Sequence, residues 1–157
     1  MPETRRLHWT DEAACAATAA ALSRRAGLGT ALIELHGPLG AGKTTFARHL
    51  LRTLGVQGHV KSPTYALLEP YQVQFGGAPL AVSHFDFYRF DDPQEWEDAG
   101  FREIFAAPGL KLVEWPEKAA GLLPTADLRI TIEPADQSEG RDVLMEAGTD
   151  AGRELIP

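Results

Sequence analysis

The run Gly37-Pro38-Leu39-Gly40-Ala41-Gly42-Lys43-Thr44 constrains this chain more than any other stretch, because it fits G-x-x-x-x-G-K-[ST] at every position. The pattern demands a buried strand before it and a helix after it, with glycines that let the backbone curl so that successive N–H groups point inward. Both flanks are legible. TALIELHG is a short apolar run with β-branched content and predicts a strand over 30–36. In TTFARHLLRTLG, Phe46, Leu50 and Leu54 recur every four residues and Gly55 supplies a stop, which predicts a helix. A chance match arises in roughly one chain of this length in 200, and the flanking elements make it rarer. Such a loop cradles a nucleoside triphosphate: amides on the β-phosphate, Lys43 across the β- and γ-phosphates, and the Thr44 hydroxyl on Mg2+.

The bulk properties say which partners to expect. At 157 residues the chain is long enough for one ordinary domain, taken as 1–157 with 150–157 as a tail. A formal charge of -7 gives no general attraction to a phosphate backbone, so autonomous nucleic-acid binding is not expected. The single cysteine, Cys15, lies in an alanine-rich stretch and reads as a small buried hydrophobe rather than part of a disulfide or zinc site. No stretch approaches the ~20 apolar residues that span a bilayer, and MPETRRLHWTDE lacks the apolar core of a signal peptide. The expectation is a cytoplasmic protein without membrane contact.

The remaining elements follow from local signals. Residues 11–25 are rich in helix formers, with Thr10 placed to cap, arginines in the last turn and Gly27 to stop the helix. ALLEPYQV and PLAVSHFDFY, joined by QFGGA, predict an antiparallel hairpin between Ala66 and Tyr88. Asp92-Pro93-Gln94-Glu95 opens a helix that runs, with a break near Gly100, to about Ala107. LKLVEW reads as a buried strand, Pro116 opens a further helical turn, and DLRITIEP with GRDVLMEA form a closing hairpin. The fold class is α/β: a P-loop NTPase-like three-layer domain whose central sheet mixes parallel strands with an antiparallel hairpin.

A triphosphate site needs a carboxylate for the cation, commonly at the end of a neighbouring buried strand. Glu114, after Leu112 and Val113, must face a cation or be costly to bury. Asp86 shares an alternating face with His84 and Tyr88, which is also what a polar outer face would look like. Lys61-Ser62-Pro63-Thr64 offers two hydroxyls that could sense a γ-phosphate, or it is an ordinary turn. Arg89 either neutralises phosphate charge or pairs with Asp91 or Asp92. The base is expected to be adenine, because guanine readers use N-K-x-D or close variants and the chain holds no asparagine.

GPLGAGKTTF, VKSPTYALLEPY, HFDFYR and LVEW, in this order in a chain this short, resemble the TsaE (YjeE) family over residues 7–148. The resemblance implies a cytosolic bacterial ATPase that works with TsaB and TsaD in forming threonylcarbamoyl adenosine at position 37 of ANN-decoding tRNAs, meeting tRNA only through that complex. It implies that Gly40 to Thr44 hold the phosphates, that Thr44 and Glu114 hold Mg2+, and that Asp86 is a second essential acid. It places Ser62 and Thr64 on a switch-like segment, Trp115 after the magnesium carboxylate, and Thr10 near the adenine. The candidate ATP-binding set is therefore Thr10, Gly37, Leu39, Gly40, Ala41, Gly42, Lys43, Thr44, Thr45, Ser62, Thr64 and Trp115, with Lys43 and Asp86 as catalytic candidates. Two rival readings are a small-molecule phosphotransferase, whose arginine-rich lid is missing here, and a nucleotide-gated binding module without catalysis.

Overall fold

Alternation of apolar side chains decides how the molecule is layered. In the computed structural model, which describes residues 3–136 and 138–157, the strands are β1 Thr4–Trp9, β2 Leu32–His36, β3 Leu68–Phe75, β4 Ala78–Asp86, β5 Leu110–Glu114, β6 Leu128–Pro134 and β7 Arg141–Ala147. The helices are α1 Glu12–Ser23, α2 Lys43–Thr53, α3 Pro93–Asp98, α4 Phe101–Ala106 and α5 Asp150–Arg153. One sheet has the order β1-β7-β6-β2-β5-β4-β3. Successive strand residues point to opposite faces, so Ile33 and Leu112 join α1 and α2 on one face while Leu32 and Val113 join α3 and α4 on the other. The result is the expected three-layer α/β fold.

Helix α2 packs through Phe46, Ala47, Leu50 and Leu51, all fully buried, against β2, β5 and β6. Burying each such leucine contributes about 1.5–3 kcal/mol. The opposite core is aromatic: Trp96 stacks on Phe105 at 5.3 Å, and Phe85 meets Phe101 edge-on at 5.3 Å. Gly100, at φ 70, makes the break between α3 and α4 that the sequence implies.

The sheet is mixed, as predicted. Strand β2 pairs in parallel with β5 and β6, and β4 pairs in parallel with β5. The β3–β4 and β6–β7 pairs are antiparallel. The first turns through Gly76 and Gly77, whose φ values of 60 and 82 suit a two-residue hairpin loop that needs left-handed backbone twice. The register sets Leu35 beside Glu114 and Glu114 beside Asp86, so three strand ends meet at one rim of the sheet.

Several boundaries differ from expectation. Asp11, not Thr10, caps α1, its Oδ1 accepting the Ala14 N–H at 2.9 Å. The helix ends at Ser23, before the two arginines, and a 3-10 turn over Ala26–Thr30 carries the buried Leu28 into the core, so β2 starts at Leu32 rather than residue 30. Strand β4 stops at Asp86, leaving Tyr88 outside the shared face. β1 has no counterpart among the expected elements: its residues alternate weakly, and it is held at the edge by antiparallel pairing with β7. Residues 150–157 do not trail as a tail, because Leu155 is fully buried and Ile156 nearly so.

That last segment is held by close backbone approach. Asp127 accepts the Leu32 N–H on one oxygen at 2.8 Å and the Thr149 hydroxyl on the other at 2.7 Å. A Cβ at Gly152 would lie 1.6 Å from the Asp127 carbonyl oxygen, whereas one at Gly27 would meet nothing nearer than Leu155 at 3.8 Å. Gly152→Ala should therefore lower unfolding stability by about 1–3 kcal/mol or more, while Gly27→Ala changes it by less than ~1 kcal/mol. Urea denaturation of both variants checks this.

Candidate functional site

The loop after β2 owes its shape to glycines with different reasons. Gly37, at φ 140, passes so close to β6 that a Cβ would sit 2.1 Å from the Ile132 carbonyl oxygen. At Gly40 and Gly42 there is room for a Cβ, but φ values of 78 and 112 put the backbone where side chains rarely go. Gly42 is the N-cap of α2 and has no side chain with which to cap it. The N–H groups of the first turn, with the positive end of an 11-residue helix, thus face the space above the loop. From β7, Arg141 reaches back and donates from Nε to the Ala41 carbonyl at 2.8 Å, bracing the loop from outside.

Lys43 and the two acids converge above this loop. The Lys43 side chain is 4 % exposed, its Nζ 2.6 Å from the Gly37 carbonyl oxygen and 3.4 Å from the Trp115 ring centroid. Burial lowers its pKa, and the charges of Glu114, Glu117 and Asp86 pull it back up. The Thr44 hydroxyl donates to Glu114 Oε1 at 2.7 Å, and His84 Nε2 lies 2.7 Å from Glu114 Oε2. Asp86 accepts the Tyr88 N–H at 2.9 Å on one oxygen and the Thr64 hydroxyl at 3.4 Å on the other. Burial raises the Asp86 pKa, the Tyr88 N–H opposes this, and the charge on Glu114 adds to it.

Lys43, Thr44, Thr64, Asp86 and Glu114 line a cleft of about 320 Å3 that also takes in Leu39, Gly40, Ala41, Gly42, Thr45, Arg89 and Trp115, while Gly37 and His84 lie outside its lining. Ser62 stands outside its lining and touches it through Thr64, at 2.8 Å. Arg89, among the described residues, turns to Tyr65 rather than to Asp91 or Asp92: it donates to the Tyr65 hydroxyl at 3.4 Å, with its guanidinium 4.5 Å from the ring centroid. Among the described residues only Leu67 and Trp115 are non-glycines with positive φ, and Trp115 lines this cleft. Such backbone costs about 1–3 kcal/mol each.

A second cavity of about 240 Å3 opens beside the loop, lined by Trp9, Asp11, Glu12, Ala41, Thr45 and Arg141 among others. Thr10 is exposed and lines neither cavity, whereas its neighbours Trp9 and Asp11 line the second. Cys15 lies at the back of this cavity, and burial pushes its thiol up to about 12, which keeps it inert.

The chemistry of the cleft is that of an anion site with a hard-cation corner. Among the described residues there is no group of three or more His, Cys, Asp or Glu that could hold a metal. A hydroxyl and one carboxylate at 2.7 Å suit an ion such as Mg2+, which takes few protein ligands and the rest from phosphate and water. Sequence reasoning missed two participants. His84 was noticed only as a neighbour of Asp86, since its contact with Glu114 exists only once β4 pairs with β5. Arg141 gave no signal, because its partner Ala41 lies 100 residues away.

Comparison with known proteins bears on the family and the fold. A family model described as "Threonylcarbamoyl adenosine biosynthesis protein TsaE" matches residues 9–143. The tRNA threonylcarbamoyladenosine biosynthesis protein TsaE of Haemophilus influenzae is 42 % identical over 125 residues, covering 80 % of this chain and 75 % of that protein. The Bacillus subtilis protein of the same name is 38 % identical over 116 residues, covering 74 % and 69 %. The crystal structure of Bacillus subtilis YdiB has the same fold, with a TM-score of 0.76 at 24 % identity over 99 % of this chain and 93 % of that one. The family match and these relatives show that this chain belongs to the TsaE family of tRNA threonylcarbamoyladenosine biosynthesis.

Proposed function

We propose that this chain is the ATPase of tRNA threonylcarbamoyladenosine formation, binding ATP with Mg2+ and turning it over to reset a cytoplasmic complex with TsaB and TsaD homologues. The observation that carries this is the Thr44–Glu114 contact at 2.7 Å, set beside Lys43 at the mouth of a glycine loop. A hydroxyl and a carboxylate in that place are the protein's share of a magnesium–triphosphate site. When bound, Mg2+ would neutralise charge on the triphosphate. The loop amides and the start of α2 orient the phosphates, and Lys43 turns from the Gly37 carbonyl and the Trp115 face toward the β- and γ-oxygens. Asp86 holds the Thr64 segment and is placed to orient an attacking water at the γ-end of the cleft.

Two features favour a partner-dependent ATPase over a phosphotransferase. Among the described residues Arg89 is the one arginine lining the cleft and is held by Tyr65, so no set of arginines is gathered there to close over an acceptor. Leu39 and Tyr65 stand 70 % and 83 % exposed at the rim, where a second protein rather than a small molecule would cover them. With a chain charge of -7, any route to tRNA runs through the partners.

Lys43→Ala should weaken ATP binding by about 100-fold or more without changing the circular dichroism spectrum, as expected for loss of the main charge on the triphosphate. Asp86→Asn should keep ATP affinity within about threefold and lower single-turnover hydrolysis about 100-fold, the range of a lost general base. Equal loss of binding and turnover would make Asp86 a ligand instead. Wild-type turnover should be slow alone and rise on adding TsaB and TsaD homologues, because a phosphate-loop site often lacks a stabilising group until a neighbour supplies it. If those partners sustain repeated tRNA modification equally well without this chain, the role is wrong.

A further inference from the structure

The Glu114 carboxylate is 2 % exposed and split between two donors: Thr44 on Oε1 and His84 on Oε2, each at 2.7 Å. A carboxylate only accepts, so His84 Nε2 carries the proton in this contact. The other ring nitrogen, Nδ1, is then a buried atom with no hydrogen-bond partner among the described residues, on a side chain only 1 % exposed. An unmet buried polar atom is a cost that folding alone gives no reason to keep. A leucine of similar bulk would remove it. What the imidazole supplies in return is a donor fixed in direction: β4 runs parallel to β5, and His84, two residues before Asp86 on the same face, reaches across to the end of the neighbouring strand.

We infer that His84 is a positioning residue for Glu114, locking the carboxylate plane through Oε2 so that Oε1 stays turned to Thr44 and to the cation. The inference rests on the magnesium–nucleotide reading above. Without the Nε2–H, Glu114 would lose its orientation and be free to rotate off the axis that Thr44 shares. Groups that orient a metal-binding carboxylate in this way commonly set metal affinity by 10- to 100-fold.

The test is a Mg2+ titration of the binding of a non-hydrolysable ATP analogue. In His84→Leu the Mg2+ concentration giving half-maximal binding should rise about tenfold or more, while analogue affinity in EDTA stays unchanged. His84→Gln, whose amide nitrogen reaches the place of Nε2, should recover to within about threefold of wild type. His84→Asn falls short of that place and should behave like His84→Leu, which keeps the test open if the leucine variant does not fold. In a Glu114→Ala background, His84→Leu should add nothing. Wild-type Mg2+ dependence in both His84→Leu and His84→Asn would overturn the inference and leave the nucleotide reading standing. So would a loss of affinity that is equal with and without Mg2+, the mark of a merely structural role. A wild-type protein whose analogue binding ignores Mg2+ would overturn both.

Discussion

A carboxylate almost entirely withdrawn from solvent organises this molecule's working end. Taking an unpaired charge out of solvent costs several kcal/mol, and Glu114 is tolerated only because Thr44, His84 and the nearby positive charge of Lys43 offset it. Those partners come from the start of α2 and from the neighbouring strand β4, and they meet only if β2, β5 and β4 are neighbours in that order and register. Strand order is therefore a condition of the chemistry.

The two cores serve that condition in different ways. Aliphatic packing of α2 against β2, β5 and β6 sets the height of the phosphate loop relative to the strand ends. The aromatic cluster beneath β4 and β5 fixes those strands from the other side, with Phe85 and Phe87 flanking Asp86 and stacked 5.6 Å apart. Asp86 thus projects into the cleft from a stretch whose neighbours are locked. Its partner Thr64 sits instead on a connecting segment between α2 and β3, ahead of the left-handed Leu67.

Legibility in the sequence followed the range of the interactions. The loop, both hairpins, the Gly100 break and the strand ending in Glu114 rest on contacts a few residues long or on strict alternation, and each was readable. The edge strand β1 and the docking of Leu155 were not, since both depend on surfaces that exist only after the rest has folded. At the site, residues carrying motif chemistry stood out: Lys43, Thr44, Glu114 and Asp86. Those acting through another residue stayed silent, because His84 and Arg141 meet partners 30 and 100 positions away. In the fold, the shift of the α1 cap from Thr10 to Asp11 has a local root: helix-start signals are shared by adjacent residues, and Asp11 took the cap that Thr10 could have filled.

The ammonium held 3.4 Å above the Trp115 ring has an optical consequence. A positive charge at that distance perturbs the excited state of an indole, so whatever draws Lys43 off the ring changes the light that Trp115 emits. The chain's other two tryptophans sit elsewhere: Trp9 is stacked on Phe46 beside the second cavity, and Trp96 is sealed in the aromatic core. With no label added, the protein carries one emitter at the cleft above the glycine loop, one beside the neighbouring cavity and one insulated from both.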